Sequence, residues 1–572
     1  MAEERSGQWI DHSLLKNTLS MLADLGIDGT SVYEQDFETP FLQVTREFYR
    51  RESSEFIASN TCSDYLRKAE ARLAEESGRV DRYLHISTEP KLRAIVEHEL
   101  VLVHAKALVE MEKSGCVAML RDEKLDDLRR MYDLFDREAV KALDLLRDTM
   151  CDYVKKVGRQ LVADQERQRE PVEFVKGLLE MREKYDRVVF TSFRSEKRSQ
   201  KRLKEAFEDF INADHKCASY LVQYLDELLR NALKGLTESE ADIELDRVVV
   251  IFRYLQDKDI FENLYKTCLA KRLLSGRSLS DEHERNMISK LKKECGYQYT
   301  SKIEGMFTDM RMSKGTMEQY RRAKLDRMHG VQMEVDVLTA GYWPTDRVQT
   351  CTLPPKLTKC CETFSTFYLN KHSGRKLVWQ TSMGTADIKA TFANSWHELN
   401  VSTYQMCILV LFNGTDKHSL ADIRAATQIP ERELKRHLVS LCTPKHRILR
   451  KSSKGKGVSN DDSFSFNPDY SSKLKRVKVP LVSMKESTPV DTNACPPAVE
   501  EDRRHLIEAA VVRVMKARKV LGHNDLIGEV TRQLSHRFMP SPPFIKARVE
   551  SLIEREYLER DKSDRRAYRY LA

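Results

Sequence analysis

The sequence predicts a mainly α-helical chain of several domains: stacked helical repeats, a helical bundle, a small α/β domain with a hairpin, and two winged-helix domains. Three observations predict it. Apolar residues recur at helical spacing over most of the chain. Only 21 Gly and 16 Pro are spread over 572 residues, which leaves little punctuation for a large β protein. A plan of three helices followed by a two-stranded wing can be read twice towards the C-terminal end. A chain of this length exceeds what one hydrophobic core holds.

From the start to residue 236 the stripes are clear: Leu15, Leu19 and Leu22; Leu143, Leu146, Met150 and Tyr153; Leu203, Phe207 and Phe210. Pro171 suits the first turn of a helix, where its missing N–H costs nothing, and Phe174, Leu178, Met181 and Tyr185 follow as that helix's stripe. Each stripe needs a neighbouring helix, so the pattern suggests stacked helices, as in a helical-repeat array, although no crisp residue-level repeat is seen. A bundle is expected at 237–336, with Phe261, Leu264 and Cys268 along one apolar side.

The period then changes. Leu377 and Trp379 alternate with polar neighbours, a turn-like MGTAD follows, and Ile388, Ala390 and Phe392 alternate again, which predicts a hairpin in an α/β domain at 337–400. Ser402 and Gln405 have capping-box spacing before the helix YQMCILVLF, which opens the first winged helix at 401–481. Its other helices are read at 420–427 and 431–441, and RILRK with FSF makes the wing. Residues 482–500 lack an apolar stripe and hold three prolines, the signature of a mobile linker. The second winged helix, at 501–572, has helices at 502–519, 524–537 and 543–556 and the strands YLERD and AYRYL.

Composition excludes several functions. The 96 basic and 88 acidic side chains leave a charge of +8, too small beside the total to name a partner. The twelve cysteines form no CxxC pair or Cys/His cluster, so neither a zinc site nor a disulfide framework is expected, and reduced thiols in a cytoplasmic and nuclear protein are. No cofactor is expected. The opening MAEERSGQWIDHS is polar where a signal peptide needs an apolar run, and no apolar stretch is long enough to span a bilayer.

No stretch carries a catalytic centre. GKGVS lacks the first glycine of a phosphate-binding loop. His98 and His104 are six residues apart, whereas a helical zinc pair needs four. Glu34, Asp36 and Glu38 alternate and read as a solvated face. In the last domain, Ile507, Val511 and Val514 form a buried stripe. At about 100° per residue, Lys516 lies about 180°, 140° and 200° from them. Lys516 must point outward, flanked by Arg513 and Lys519. A nucleic-acid-binding winged helix competes with a protein-binding one: Lys546, Arg548 and Arg555 could face DNA, but Glu550, Glu554 and Glu556 would repel phosphates.

VVRVMKARKVLGHNDL and RFMPSPPFIKARVESLIEREYL resemble the C-terminal signature of the cullins, scaffold subunits of ubiquitin ligase complexes. SVYEQDFETPFL, DKDIFENLYKTCLAKRLL, NMISKLKKECG, LTAGYWPT and HSGRKLVWQTSMGTADI extend the resemblance over nearly the whole chain. It is most similar to the cullin-3 branch, through SVYEQDFETPFL, MGTADI and PSPPFIK. The resemblance implies that 1–120 and 121–236 are the second and third cullin repeats, that the first is lacking, and that the chain has no catalytic role of its own. It implies that Lys516 accepts a ubiquitin-like neddylation modifier through an isopeptide bond. It also implies that 337–400 binds a RING-box protein by β-augmentation, and that this protein brings zinc and a ubiquitin-conjugating enzyme. A cullin exchange factor is a further implied partner. The BTB-domain substrate adaptor docks on the first repeat in the family, so adaptor binding is left open here. A truncated cullin that sequesters the RING-box protein is the other alternative.

Overall fold

The computed structural model describes all residues except 1, 6, 26–29, 215, 325–329, 345–350, 394, 454, 456, 483–495, 562–563, 565 and 572. The heart of the expected linker, 483–495, and parts of both wings therefore lie outside the described residues. The chain folds into two compact units. One comprises Met1–Leu228, Gly235–Phe261 and Pro497–Ala572; the other comprises Leu229–Lys234 and Glu262–Pro496.

In the first unit, amphipathic helices pack on one another because each has one apolar face. Leu146, Met150 and Val154 of Leu143–Ala163 are buried, as are Leu203, Phe207 and Phe210 of the neighbouring helix Lys197–Ile211. The two helices approach closely at Gly158, where a Cβ would meet the Phe210 ring at 2.2 Å. Only glycine permits that approach. Pro171 opens the helix Pro171–Ser192, and Phe174, Leu178, Met181 and Tyr185 are buried as its stripe predicts. The first stripe is weaker than expected. Of Leu15, Leu19 and Leu22 only Leu19 is fully buried, while Leu14, Met21 and Leu25 are exposed.

The same unit ends in the second winged helix. Helices Pro497–Arg518, His523–Leu534 and Pro542–Glu554 enclose a core of Ile507, Val511, Leu526, Val530, Phe538, Val549 and Tyr568, among others. Its sheet is three-stranded, in the order β7 (Val520–Gly522), β9 (Ala567–Tyr570), β8 (Leu558–Arg560), all antiparallel. The first helix begins at Pro497 rather than 502, so the tail of the expected linker is helical. β7 spans three residues, too few to show a period.

The bundle region comprises Lys258–Ser275, which belongs to the first unit as far as Phe261 and to the second from Glu262, followed in the second by Asp281–Cys295 and Tyr297–Arg322. The buried line on Lys258–Ser275 runs through Phe261, Tyr265 and Leu269, with Leu264 and Cys268 only partly covered, so the apolar face is rotated from the expected one. Arg272 and Glu284 are both 0% exposed and pair in fork geometry at 2.7 and 2.9 Å. The hydroxyls of Ser278 and Tyr265 also donate to Glu284, which saturates a carboxylate otherwise too costly to bury.

The α/β region corrects the hairpin. Residues 377–379 do not pair with 388–392; instead β1 (Thr385–Thr391) pairs antiparallel with β2 (Trp396–Ser402), and β6 (Arg476–Lys478) adds parallel to β2. The sequence reading missed β2 because WHELNVS mixes charge into its alternation and abuts the Ser402 cap. Ser402 and Gln405 do form a capping box on Thr403–Leu411, and Ser419 with Asp422 forms another on Leu420–Thr427. With Glu431–Cys442 and the sheet β3 (Lys417–Ser419), β5 (Ser463–Phe466), β4 (Leu449–Lys451), these complete the first winged helix.

Candidate functional site

Lys516 occupies the last turn of Pro497–Arg518. The helix is held by Ile507, Ala510, Val511, Val514 and Met515, all buried in the domain core, and this fixes its rotation. Lys516 and Arg513 consequently face solvent. Cations in the last turn also suit the negative end of the helix dipole. The helix stops at Lys519, whose φ of 66° is left-handed and whose N–H bonds the Met515 carbonyl at 2.8 Å, a C-terminal cap made by the backbone.

Two neighbouring cations are committed elsewhere. Arg518 pairs with Glu529 at 2.9 Å, and the Lys519 ammonium lies over the Tyr570 ring at 5.1 Å. Lys516 makes no hydrogen bond, ion pair or ring contact among the described residues. Its amine is therefore unencumbered, which is what attack on an activated acyl group requires. An open cleft of about 320 Å³ beside the helix end is lined by Arg518, Asn524, Asp525, Glu529 and Arg532, with no nucleophile and base among them.

A second candidate surface lies in the other unit. Asp309 on Tyr297–Arg322 accepts hydrogen bonds from the Thr339 N–H, the Thr339 hydroxyl and Trp343 Nε1, each at 2.8 Å. Tyr342 lies against Gly305, where a Cβ would stand 2.5 Å from its ring. This anchors LTAGYW on the helix. The preceding stretch, 331–338, is neither helix nor strand, and Met333, Val335 and Val337 pack on Met317, Tyr320, Phe364 and Tyr368. Leu377 and Trp379 of a second irregular stretch, 375–380, pack on the same aromatic layer.

Neither stretch is in a sheet. Val337 is bonded at both its N–H and its carbonyl by the Ser313 hydroxyl, at 2.8 and 3.1 Å. Otherwise, residues 331–337 and 375–379 make no backbone–backbone hydrogen bond to any described residue. Backbone whose donors and acceptors are not bonded within the chain can pair with an added strand. The sequence reading took 377–379 for half of a closed hairpin.

The other candidates do structural work. Glu38 is not solvated: it is 2% exposed and accepts from the Thr88 hydroxyl and the Lys91 ammonium. His104 bonds the Ser53 hydroxyl, and His98 sits against Glu99. No group of three or more His, Cys, Asp or Glu fit to hold a metal occurs among the described residues, nor a helix long and apolar enough to cross a membrane. Each described cysteine is a free thiol. On the helix that could face DNA, Arg548 and Arg555 both turn to Glu508, at 3.8 and 2.7 Å, and Arg560 pairs with Glu550 at 2.5 Å. Charges spent within the domain are poor phosphate contacts.

Three family models match the chain: the cullin alpha solenoid domain over residues 1–317, the cullin alpha+beta domain over 337–470, and the cullin protein neddylation domain over 502–564. Among characterised proteins, Cullin-3A of Arabidopsis thaliana is 48% identical over 572 residues. Cullin-3 of Dictyostelium discoideum is 44% identical over 606 aligned positions, and Cullin-3 of Caenorhabditis elegans 38% over 609. Each alignment covers all of this chain and 78% of the relative.

Proposed function

The chain belongs to the cullin family, and from that premise we propose that it is a non-catalytic scaffold of a ubiquitin ligase, switched on when Lys516 takes up a ubiquitin-like modifier. The observation that carries the reading is the position of Lys516. It is an exposed, unpartnered amine within the span matched by the neddylation model. The unmodified scaffold contributes proximity, holding a charged ubiquitin-conjugating enzyme near its target. A bulky modifier then shifts the second winged helix towards a released state, with 482–500 as its tether.

The partner that supplies the enzyme is a RING-box protein, which adds a strand to the backbone at 331–337 and 375–379, where no backbone–backbone hydrogen bond is made to a described residue. The domains that serve this role are the second- and third-type repeats at 1–120 and 121–236, the bundle at 237–336, the RING-box region at 337–400 and the neddylation domain at 501–572. The chain acts in the cytoplasm and nucleus. Incubation with a RING-box protein and modification enzymes, followed by peptide mass spectrometry, tests the assignment: a single isopeptide adduct is expected on Lys516. Equal labelling of a Lys516→Arg variant would remove it.

A further inference from the structure

The sheet of β1, β2 and β6 has one face in the core and one in water. Ala386, Ile388 and Ala390 of β1, Leu399 and Val401 of β2 and Val477 of β6 join the cluster that holds Tyr404, Cys407 and Ile408. By the two-residue period of a strand, the alternate positions lie on the other face. Asp387, Lys389, Trp396, Arg476 and Lys478 are exposed there, and Glu398 is half-buried.

Trp396 is 44% exposed at the start of β2, and Leu474 is 66% exposed. The chain entering β6 runs beside β2, which brings the two together: the Leu474 carbonyl accepts from His397 Nδ1 at 3.0 Å, and the Lys475 carbonyl from the Glu398 N–H at 2.8 Å. Two ammonium groups lie over the Trp396 ring, Lys389 at 4.9 Å and Lys475 at 5.3 Å from its centroid. Lys473 is exposed beside Leu474. None of Lys389, Lys473, Lys475 and Lys478 makes an ion pair or side-chain hydrogen bond among the described residues. Arg476 is committed, to Asp387 at 3.0 Å. Burial and the Arg277 guanidinium hold Lys478 below the usual lysine value. On the second winged helix, by contrast, Arg548, Arg555 and Arg560 are spent on Glu508 and Glu550. Uncompensated cations on one face repel each other, and an anion relieves that repulsion.

An exposed indole among unpaired ammonium groups suits single-stranded nucleic acid: a base stacks on the ring while phosphates meet the lysines. A duplex hides its base faces. Glu398 bears on the sugar. It lies on the middle strand, opposite Lys389 in register, yet its carboxylate makes no ion pair or hydrogen bond among the described residues. A carboxylate there repels a phosphate but accepts a hydrogen bond from a ribose 2′-OH, a donor that DNA lacks. We propose that the exposed face of this sheet binds single-stranded RNA, with Trp396 as the stacking platform, Lys389, Lys473, Lys475 and Lys478 on phosphates, and Glu398 on a 2′-OH. From Leu474 to Lys478 the row runs about 13 Å at about 3.3 Å per residue, room for a short run of nucleotides. The surface is independent of Lys516, which belongs to the other unit.

The test uses the full unmodified chain and a fluorescein-labelled oligouridylate of about twelve nucleotides, within the site sizes of single-strand binders. Anisotropy at low salt reads binding, and thermal unfolding checks the fold of each variant. Trp396→Ala should weaken binding about tenfold, the loss of one stacked base, and Trp396→Phe should keep most of it. Lys389→Gln with Lys475→Gln should also weaken it and lower the slope of log affinity against log salt by about 1.4, the share of two phosphates on a single strand. Glu398→Gln should narrow the preference for RNA over the matching deoxy oligomer. Arg548→Gln with Arg555→Gln should bind as the parent does. If Trp396→Ala lowers the unfolding midpoint, the lysine pair decides by the same readouts. No binding at low salt, or binding that the sheet variants leave unchanged, would overturn the proposal. Equal affinity of the parent for the deoxy oligomer would overturn the assignment to RNA. Displacement of the RNA by an equal concentration of an oligoglutamate peptide would overturn it too, and give the face to an acidic protein segment.

Discussion

Three side chains illustrate what single residues contribute. Lys516 is held outward by the packing of Val514 and Met515 and supports nothing around it. Lys516→Arg should therefore abolish modifier attachment while changing stability by less than about 0.5 kcal/mol, which thermal unfolding of the unmodified chain checks. Glu284 is the opposite case. Glu284→Gln leaves Arg272 as a buried charge without its counter-ion, a loss of about 3–5 kcal/mol that denaturant unfolding would register. Helical phase was enough to find the exposed lysine, because one buried stripe fixes every other position on that helix. Its chemical role was not legible from geometry, since a solvated lysine and an acceptor lysine have the same phase.

His437 makes a pH prediction. Its ring is buried against Tyr404 and its Nδ1 lies 3.0 Å from the Ser402 hydroxyl, and burial holds the imidazole down at about 4. Below about pH 6.5 an unfolded chain takes up a proton that the folded one refuses. This group therefore costs stability as pH falls from about 6.5 towards about 4, by about 2 kcal/mol at pH 5, and no more below that window. His437→Gln should flatten that part of the profile. A variant whose unfolding midpoint falls between pH 7 and 5 as steeply as the parent's would contradict the assignment.

At the scale of elements, the open backbone at 331–337 and 375–379 gives the most direct forecast. Amides in both stretches should exchange rapidly in the free chain and become protected, together, when a RING-box protein binds. Protection confined to β1 and β2 would place the partner's strand elsewhere. The sequence reading closed this region on itself because alternation identifies a strand but not its neighbour. Leu377 and Trp379 alternate for the sake of the aromatic layer beneath them, not for a hairpin mate. The capping box of Ser402 and Gln405 was legible because the two act on each other within one turn. β3 and β7, three residues each, carry no readable period. Close helix contacts leave a faint mark too: Gly158 looks like an ordinary helical glycine until the Phe210 ring is seen against it. Gly158→Ala should cost about 1–3 kcal/mol through overpacking.

For the whole molecule, long stripes made the helical class plain, and the matched motifs identified the cullin family from end to end. What no local pattern announced is that Arg503 of the second winged helix pairs with Asp257 and Asp259, some 245 positions earlier in the chain. Such pairings are set by three-dimensional packing and leave no periodic trace. The central claim is that the scaffold is switched by one lysine, and it is tested most directly by ubiquitin discharge to free lysine in a reconstituted mixture of chain, RING-box protein and charged conjugating enzyme. With modifier and its enzymes added, the parent should accelerate at least tenfold and Lys516→Arg should not. Equal acceleration of the two chains, or none in either despite an adduct on Lys516, would contradict it.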